Sequence, residues 1–324
     1  MYTVNSCTGS LTPTTPATVP TGGNAFGAEG MAVDPTGKFA YVANLMSNAA
    51  DLATISMYTI NSSTGILTPT LPATVPTGYF PQGIAIDPSA KFVYTANSDD
   101  NTVSMFTIDA STGVLTPTAP PAVATGLSPD FVTVDPSGRF AYVSNQDDGT
   151  VSMYTIDSTS GVLTPMMPAT VGAGGSPFRV TVSPADNFAY VPNNDGSTVS
   201  MYTVDSTTGI LIPTAAGEVS CGNGPTSVAV DPSSKFAYVV NRGDSTLSMF
   251  IIDSSTGDLT ANGTIATGAE PFAVVVDPSG KFAYVTNESG SVSIYTLNGD
   301  GTLTAAGTAA AGSVPISIAV TAAK

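Results

Sequence analysis

The chain has 324 residues, of which 10% are charged, and 24 acidic residues against 8 basic ones give it a net charge of −16. Nucleic acid and anionic membranes require a basic surface, so both are poor partners for this chain. The sequence contains no histidine. This excludes Ser-His-Asp and Cys-His catalysis, histidine as a general base, and His-ligated zinc, copper or haem iron.

The composition also bears on location. A weakly charged, acidic, Thr-rich surface suits an exported protein, so we expect an extracellular or periplasmic location. No signal peptide is visible, and no hydrophobic run approaches the length of a transmembrane helix. The two cysteines, Cys7 and Cys221, do not make a disulfide framework, and we expect them to stay unpaired.

One eleven-residue segment recurs six times along the chain. Its copies are "DPTGKFAYVAN" (34–44), "DPSAKFVYTAN" (87–97), "DPSGRFAYVSN" (135–145), "SPADNFAYVPN" (183–193), "DPSSKFAYVVN" (231–241) and "DPSGKFAYVTN" (277–287). The period of about 48 residues is typical of a repeat architecture rather than of separate domains.

Each repeat contains four short segments with the alternation of a β-strand. In the second repeat these segments, here named a to d, are 82–86, 92–96, 102–108 and 113–118. Asp-Pro-Ser-Gly between a and b predicts a type I turn, and "STG" between c and d predicts a tight hairpin. Strands b and c, rich in β-branched and aromatic residues, are expected to be buried on both faces.

Four antiparallel strands repeated in this way, without helical patterns, indicate propeller blades. We predict an all-β, seven-bladed β-propeller forming a single domain over residues 1–324. Seven a, c and d segments but only six b segments are present, and the last a segment is "PISIAV" (315–320). Met1 aligns with Met57 of the next repeat. We therefore expect the closing blade to be shared between the two termini, with its strand b and any export signal lying before Met1 in a longer parent chain.

Six "YVxN"-type segments at this spacing resemble the YVTN-repeat proteins and the related lactonase family of seven-bladed propellers. The resemblance covers essentially the whole chain and is more specific for fold than for function. It implies either a 6-phosphogluconolactonase-like enzyme or an extracellular binding or surface-layer module without a reaction. No catalytic residue is carried over from the family.

The repeated residues are interpreted as scaffold. The Asp of each Asp-Pro turn is expected to accept turn hydrogen bonds, the Tyr of each "YVxN" to pack between blades, and the Asn to satisfy backbone groups. The Met residues of strand c are expected to fill the core. Five basic residues lie in the a–b turns, which with the c–d turns form the turn end of each blade: Lys38, Lys91, Arg139, Lys235 and Lys281.

Variation concentrates in the b–c and d–a loops, which form the loop end of each blade and in a propeller surround the mouth of the channel. The first b–c loop, 44–56, is about five residues longer than its counterparts and is a candidate lid. The candidate ligand-binding residues lie at the opening of strand a, just before it, or in a b–c loop. They are Glu29, Gln82, Asp130, Phe178, Arg179 and Phe272 at the opening, Glu270 before it, and Arg242 in a b–c loop.

Two functions remain open from the residues. The favoured one is a non-catalytic extracellular or periplasmic module that holds a small polar ligand or a protein or cell-surface partner at the loop end, or that serves as a structural unit. The alternative is a lactonase-family hydrolase of a sugar lactone, with Glu29, Asp130 or Glu270 as base and Arg179 or Arg242 as cation. No cofactor is required. The acids of the b–c loops give calcium only a weak signal.

Overall fold

The computed structural model describes residues 1–22, 25–46 and 53–321. In these ranges the backbone forms six four-stranded antiparallel sheets, one two-stranded sheet and no helix. The fold is therefore an all-β propeller of four-stranded antiparallel blades, as predicted. None of the described residues belongs to a helix with the length and hydropathy needed to cross a membrane.

The chain divides into two compact units, Met1–Thr3 with Pro13–Thr170 and Val4–Thr12 with Val171–Ala322. The expectation of a single domain over the whole chain stays a prediction. Near the N-terminus, the short strands β1 (Tyr2–Val4) and β2 (Leu11–Pro13) pair with each other.

The first unit holds three blades. Their strands are β3 (Ala25–Val33), β4 (Phe39–Met46), β5 (Thr54–Ile60) and β6 (Leu67–Pro76); β7 (Pro81–Ile86), β8 (Phe92–Asn97), β9 (Thr102–Ile108) and β10 (Leu115–Ala124); β11 (Pro129–Val134), β12 (Phe140–Asn145), β13 (Thr150–Ile156) and β14 (Leu163–Gly172). The last two residues of β14, Val171 and Gly172, belong to the second unit.

The second unit holds the other three blades. Their strands are β15 (Thr181–Val182), β16 (Phe188–Asn193), β17 (Thr198–Val204) and β18 (Leu211–Ser220); β19 (Pro225–Val230), β20 (Phe236–Asn241), β21 (Thr246–Ile252) and β22 (Leu259–Ala266); β23 (Pro271–Val276), β24 (Phe282–Asn287), β25 (Ser291–Leu297) and β26 (Leu303–Ala310).

The core lies between neighbouring blades. All six residues of β8 are buried, whereas most of the outer strand β10 is exposed. In the first unit, side chains of β8 and β9 form one apolar cluster with side chains of β11, β12 and β13. Strands b and c are thus buried on both faces, as their β-branched and aromatic composition predicts.

The Asp of each Asp-Pro turn organises the hairpin between strands a and b. In the second blade, Asp87 Oδ1 accepts the backbone N–H groups of Lys91 and Phe92 at 2.7 and 2.6 Å. Its other oxygen accepts the backbone N–H and the hydroxyl of Ser89. Because one carboxylate satisfies four donors, the recurring aspartates are turn residues, which confirms their interpretation as scaffold.

A second recurring contact joins neighbouring blades. The Phe92 ring lies so close to Gly161 of the next c–d turn that a Cβ there would come within 2.3 Å of it, and the Tyr94 hydroxyl donates to the Gly161 carbonyl at 2.8 Å. Gly161 has a φ of 73°, so glycine is required both by space and by backbone conformation. The equivalent tyrosine–glycine bonds within the units join Tyr41 to Gly113, Tyr190 to Gly257, Tyr238 to Gly301 and Tyr284 to Gly9.

The methionines of strand c do more than fill the core. The sulfur of Met57 accepts the backbone N–H of Leu115, the first residue of strand d in the next blade, at 3.2 Å. The same bond joins Met105 to Leu163, Met201 to Leu259 and Met249 to Leu303. The thioether therefore satisfies a donor that strand pairing leaves without a backbone acceptor.

Three details differ from the sequence-based expectations or lie beyond them. Strand d of the second blade runs over Leu115–Ala124, not 113–118, because a register shift between Pro117 and Ala122 lets the strand continue past prolines that cannot donate. Residues 315–320 form no strand, although Ile318 and Val320 pack against the cluster around Phe282. The inserted part of the first b–c loop lies largely outside the described residues.

Candidate functional site

Strand a of five blades carries a β-bulge at its opening. The register of β7 against β8 shifts between Pro81 and Ile84, and that of β11 against β12 shifts between Pro129 and Val132. The other shifts fall at Ala28/Met31, Pro225/Ser227 and Pro271/Ala273. Bulges re-aim side chains and are enriched next to active sites. The residues that diverge between repeats thus lie where the backbone leaves the regular ladder.

In the first unit, three candidate residues lie on three neighbouring a strands. Glu29 and Gln82 are half-buried on β3 and β7, and Asp130 on β11 is 8% exposed. These strands approach at backbone distance, because a Cβ on Gly30 would lie 2.4 Å from the Gln82 carbonyl oxygen. A Cβ on Gly83 would likewise lie 2.5 Å from the Phe131 ring. Glycine at these positions therefore allows the three a strands that carry Glu29, Gln82 and Asp130 to lie close together.

In the second unit, two candidate aromatic rings meet. Phe178 and Phe272 lie edge to face, with ring centroids 6.3 Å apart and planes at 75°. Backbone bonds hold both residues: Phe178 N–H donates to the Pro192 carbonyl at 2.9 Å, and the Thr226 hydroxyl donates to the Phe272 carbonyl at 2.6 Å. The pair forms a fixed apolar surface beside the strand openings.

Arg179 follows Phe178 where strand a of its blade is irregular. The regular strand β15 covers only Thr181–Val182, and Pro177 makes an isolated bridge to Asn193. Arg179 therefore lies in a segment outside the sheet ladder, and its side chain is half-buried. A half-buried guanidinium exerts a stronger field on a nearby ligand than an exposed one.

The best-defined polar contact of the second unit joins Arg242 to Glu288. Arg242 Nε donates to Glu288 Oε1 at 2.8 Å, and a second guanidinium nitrogen donates to Oε2 at 3.0 Å. The Arg242 side chain is 43% exposed and that of Glu288 is 13% exposed. The Glu288 carboxylate raises the pKa of Arg242, with a smaller contribution from Glu270. Glu270 also contacts Glu288 through its backbone.

Glu270 is exposed and has a φ of 52°, and its carbonyl accepts the backbone N–H of Glu288 at 2.9 Å. The left-handed conformation is a property of the d–a loop, since the equivalent residues Phe80, Ser128 and Val314 share it. Such a φ costs an L-residue about 1–2 kcal/mol. The loop therefore sets the direction of the Cα–Cβ bond at this position in these four repeats, and the residue type decides its chemistry.

The acids of the b–c loops accept hydrogen bonds from the neighbouring d–a loops. Asp100, Asp148 and Asp244 each accept the backbone N–H of a d–a loop residue, with Tyr79 and Leu127 bound at 2.7 Å and Asn223 at 2.8 Å. Hydrogen bonds from the backbone N–H and the side-chain amide of Asn223 lower the pKa of Asp244. Among the described residues, no three acidic or cysteine side chains gather closely enough to hold a metal ion.

The structure groups the predicted site residues in two sets. Glu29, Gln82 and Asp130 lie on adjacent a strands of the first unit. In the second unit Phe178 contacts Phe272, whereas Glu270 and Arg242 each contact Glu288. Arg179 directly follows Phe178 in the chain. Sequence reasoning missed the part played by Glu288. A signal was present, because Arg242 and Glu288 directly follow the repeated Asn241 and Asn287 in consecutive repeats, which gives neighbouring loops opposite charges at one position.

The fold resembles several solved structures. Candidate 6-phosphogluconolactonases from Bacteroides fragilis and Bacteroides uniformis share 20% and 21% identity with this chain and give TM-scores of 0.81 and 0.82. Each alignment covers 97% of this chain and 91% or 92% of the other. A periplasmic gluconolactonase from Pseudomonas aeruginosa gives 18% identity and a TM-score of 0.80, over 97% of this chain and 94% of its own. No curated protein sequence matches the chain.

A family model described as "Lactonase, 7-bladed beta-propeller" matches residues 1–127, 131–217 and 211–320. The sequence-based preference for a non-catalytic binding or structural module is therefore wrong, and the findings favour the alternative, a lactone hydrolase. The preference rested on the absence of histidine and the scarcity of arginine, which exclude particular mechanisms but not hydrolysis by carboxylate and guanidinium groups. The chain belongs to the lactonase family of seven-bladed β-propellers.

Proposed function

We propose that the protein is a hydrolase of a sugar lactone. The observation that carries it is a chain of contacts in the second unit of a lactonase-family protein. Phe178 packs on Phe272, Glu270 stands two residues before Phe272, and Glu270 and Arg242 both contact Glu288. Aromatic rings next to a few polar groups are typical of small-molecule sites. This set combines an apolar face for a sugar ring with groups for acid–base and electrostatic catalysis.

The reaction needs a base and a cation. Water attacks the lactone carbonyl carbon, a base takes the proton of that water, and negative charge develops on the carbonyl oxygen. The tetrahedral intermediate then breaks the bond to the ring oxygen, which takes up a proton, and the product is an open hydroxy acid. This chemistry requires no histidine and no cofactor.

We assign the roles of base and cation to residues of the second unit. Glu270 is assigned as the base, because its carboxylate is exposed and its loop holds the side chain in a defined direction. Arg179 is assigned to the developing oxyanion, because it is half-buried and directly follows Phe178 of the aromatic pair.

The test is proton release from a panel of sugar lactones, with and without a phosphate group, after subtraction of the spontaneous rate. We expect turnover by the wild type and a loss of about 100-fold or more in kcat/KM for Arg179→Ala, the effect typical of removing one oxyanion donor. Arg139→Ala is the matched control, because Arg139 lies in an exposed a–b turn against Phe140. Its kcat/KM should equal that of the wild type. Absence of turnover on every lactone would refute the proposal.

Two finer features of the sequence interpretation accompany this function as proposals. Leu11 of β2 and the side chains of Ile318 and Val320 pack against one cluster on β24 and β25, which supports a seventh blade built from both termini. An extracellular or periplasmic location is supported by the sparsely charged composition and by the periplasmic gluconolactonase among the similar structures. The proposed partner is then a small polar ligand, the lactone itself.

A further inference from the structure

The charge at the loop end of the second unit is negative. The four acids in its loops are Asp195, Asp244, Glu270 and Glu288, against the two arginines Arg179 and Arg242 in the described part of this end. Glu288 also neutralises Arg242 through two hydrogen bonds at 2.8 and 3.0 Å. A phosphate monoester, which carries a charge of about −1.5 to −2 at pH 7, would therefore meet net repulsion at this end.

The remaining cations of this unit cannot compensate. Lys235 and Lys281 lie in a–b turns, each beyond a strand a of six residues, Pro225–Val230 and Pro271–Val276. At about 3.3 Å per residue, each turn lies roughly 20 Å from the strand opening. The Debye length at physiological ionic strength is about 8 Å. These lysines are therefore screened from a ligand at the loop end.

On the basis of the proposed function, we infer that the substrate is an unphosphorylated sugar lactone, and that Glu288 sets this specificity by occupying the guanidinium of Arg242. A guanidinium binds carboxylate and phosphate in the same two-pronged geometry. Glu288 thus fills the position that a substrate phosphate would need. The Phe178–Phe272 pair, in contrast, suits the uncharged face of a sugar ring.

The experiment compares kcat/KM for glucono-1,5-lactone and its 6-phosphate. We expect the wild type to favour the uncharged lactone by about tenfold or more, and Glu288→Gln to gain about tenfold on the phosphorylated one, because Arg242 becomes available to it. Adding Arg242→Gln to Glu288→Gln should abolish that gain. The matched control is Glu218→Gln, which removes one negative charge from the outermost strand β18, where Glu218 accepts a bond from Thr198. It should leave the ratio within about twofold of the wild type.

The preference of the wild type for the unphosphorylated lactone can also be tested without a variant, through its dependence on salt. If charge repulsion sets it, raising NaCl from about 20 to about 500 mM should narrow the preference by several fold. Faster hydrolysis of the phosphorylated lactone by the wild type, or no gain in a folded Glu288→Gln, would overturn the inference and leave the lactonase function standing. No hydrolysis of either lactone would refute the proposed function and the inference with it.

Discussion

The tyrosine of each "YVxN" segment carries a hydrogen bond as well as packing area. Tyr94 is fully buried in β8, and its hydroxyl donates to the carbonyl oxygen of Gly161 in the next blade. Burial raises the pKa of Tyr94, with a smaller contribution from Asp87, so the hydroxyl keeps its proton. A buried carbonyl without a donor costs free energy, and this bond therefore helps to fix neighbouring blades against each other.

We expect Tyr94→Phe to lower the free energy of unfolding by about 1–2 kcal/mol, because the ring still packs while the Gly161 carbonyl loses its donor. Urea unfolding followed by circular dichroism measures this change. Tyr79→Phe is the matched control, since Tyr79 is 45% exposed, and it should alter the unfolding free energy by less than about 0.5 kcal/mol. Equal effects of the two substitutions would show that the hydroxyl of Tyr94 contributes nothing specific.

Among the elements, the a strands depend on glycine to approach one another. Gly83 of β7 lies against the ring and the Cα of Phe131 on β11, and a Cβ at Gly83 would come within 2.5 Å of the ring and 2.6 Å of the Cα. Backbone cannot move away as a flexible side chain can, so even one methyl group must push the strands apart. The candidate residues Gln82 and Asp130 are next to this contact and would shift with it.

Gly83→Ala should therefore destabilise the fold by about 1–3 kcal/mol, the cost of overpacking a close contact. Gly172→Ala is its control, because a Cβ at Gly172 meets nothing within 4 Å. Thermal unfolding of the two variants gives the comparison. A Gly83→Ala variant as stable as Gly172→Ala would mean that β7 and β11 separate without cost.

At the scale of the whole molecule, acidic residues outnumber basic ones at the turn end as well as at the loop end. Five of the eight basic residues lie in a–b turns, but the a–b and c–d turns also hold 12 of the 24 acidic residues. The c–d turns add aspartates that accept several turn hydrogen bonds each: bonds from Ser111 and Thr112 lower the pKa of Asp109 to about 2, and bonds from Ser255 and Thr256 lower that of Asp253 to about 2. The same kind of bonds lowers the pKa values of Asp157 and Asp205.

These pKa values predict how stability changes in acid. A carboxyl with a pKa near 2 when folded and about 3.9 when unfolded binds more protons in the unfolded state between these values. The stabilisation is complete above about pH 4 and is lost as pH falls toward 2. We expect urea midpoints to fall over this window, and to fall less steeply in Asp109→Asn/Asp253→Asn. The net charge of −16 acts in the opposite direction, since protonation relieves self-repulsion. A midpoint that rises in acid would show that repulsion outweighs the turn bonds.

The sequence by itself determined the repeat, the strands, the turns and the family, because these depend on local alternation, turn chemistry and a period of about 48 residues that recurs in one chain. The candidate site was only partly predictable. Divergent positions at the strand openings were found, but the bulges that hold them, the close approach of Gly83 to Phe131, the methionine acceptors and the Arg242–Glu288 pair required the tertiary structure. The last three of these features join residues of neighbouring blades, about 46–58 positions apart in the chain. The local sequence pattern determines the strands and turns of each blade. The distance between blades depends on how their backbones and side chains pack.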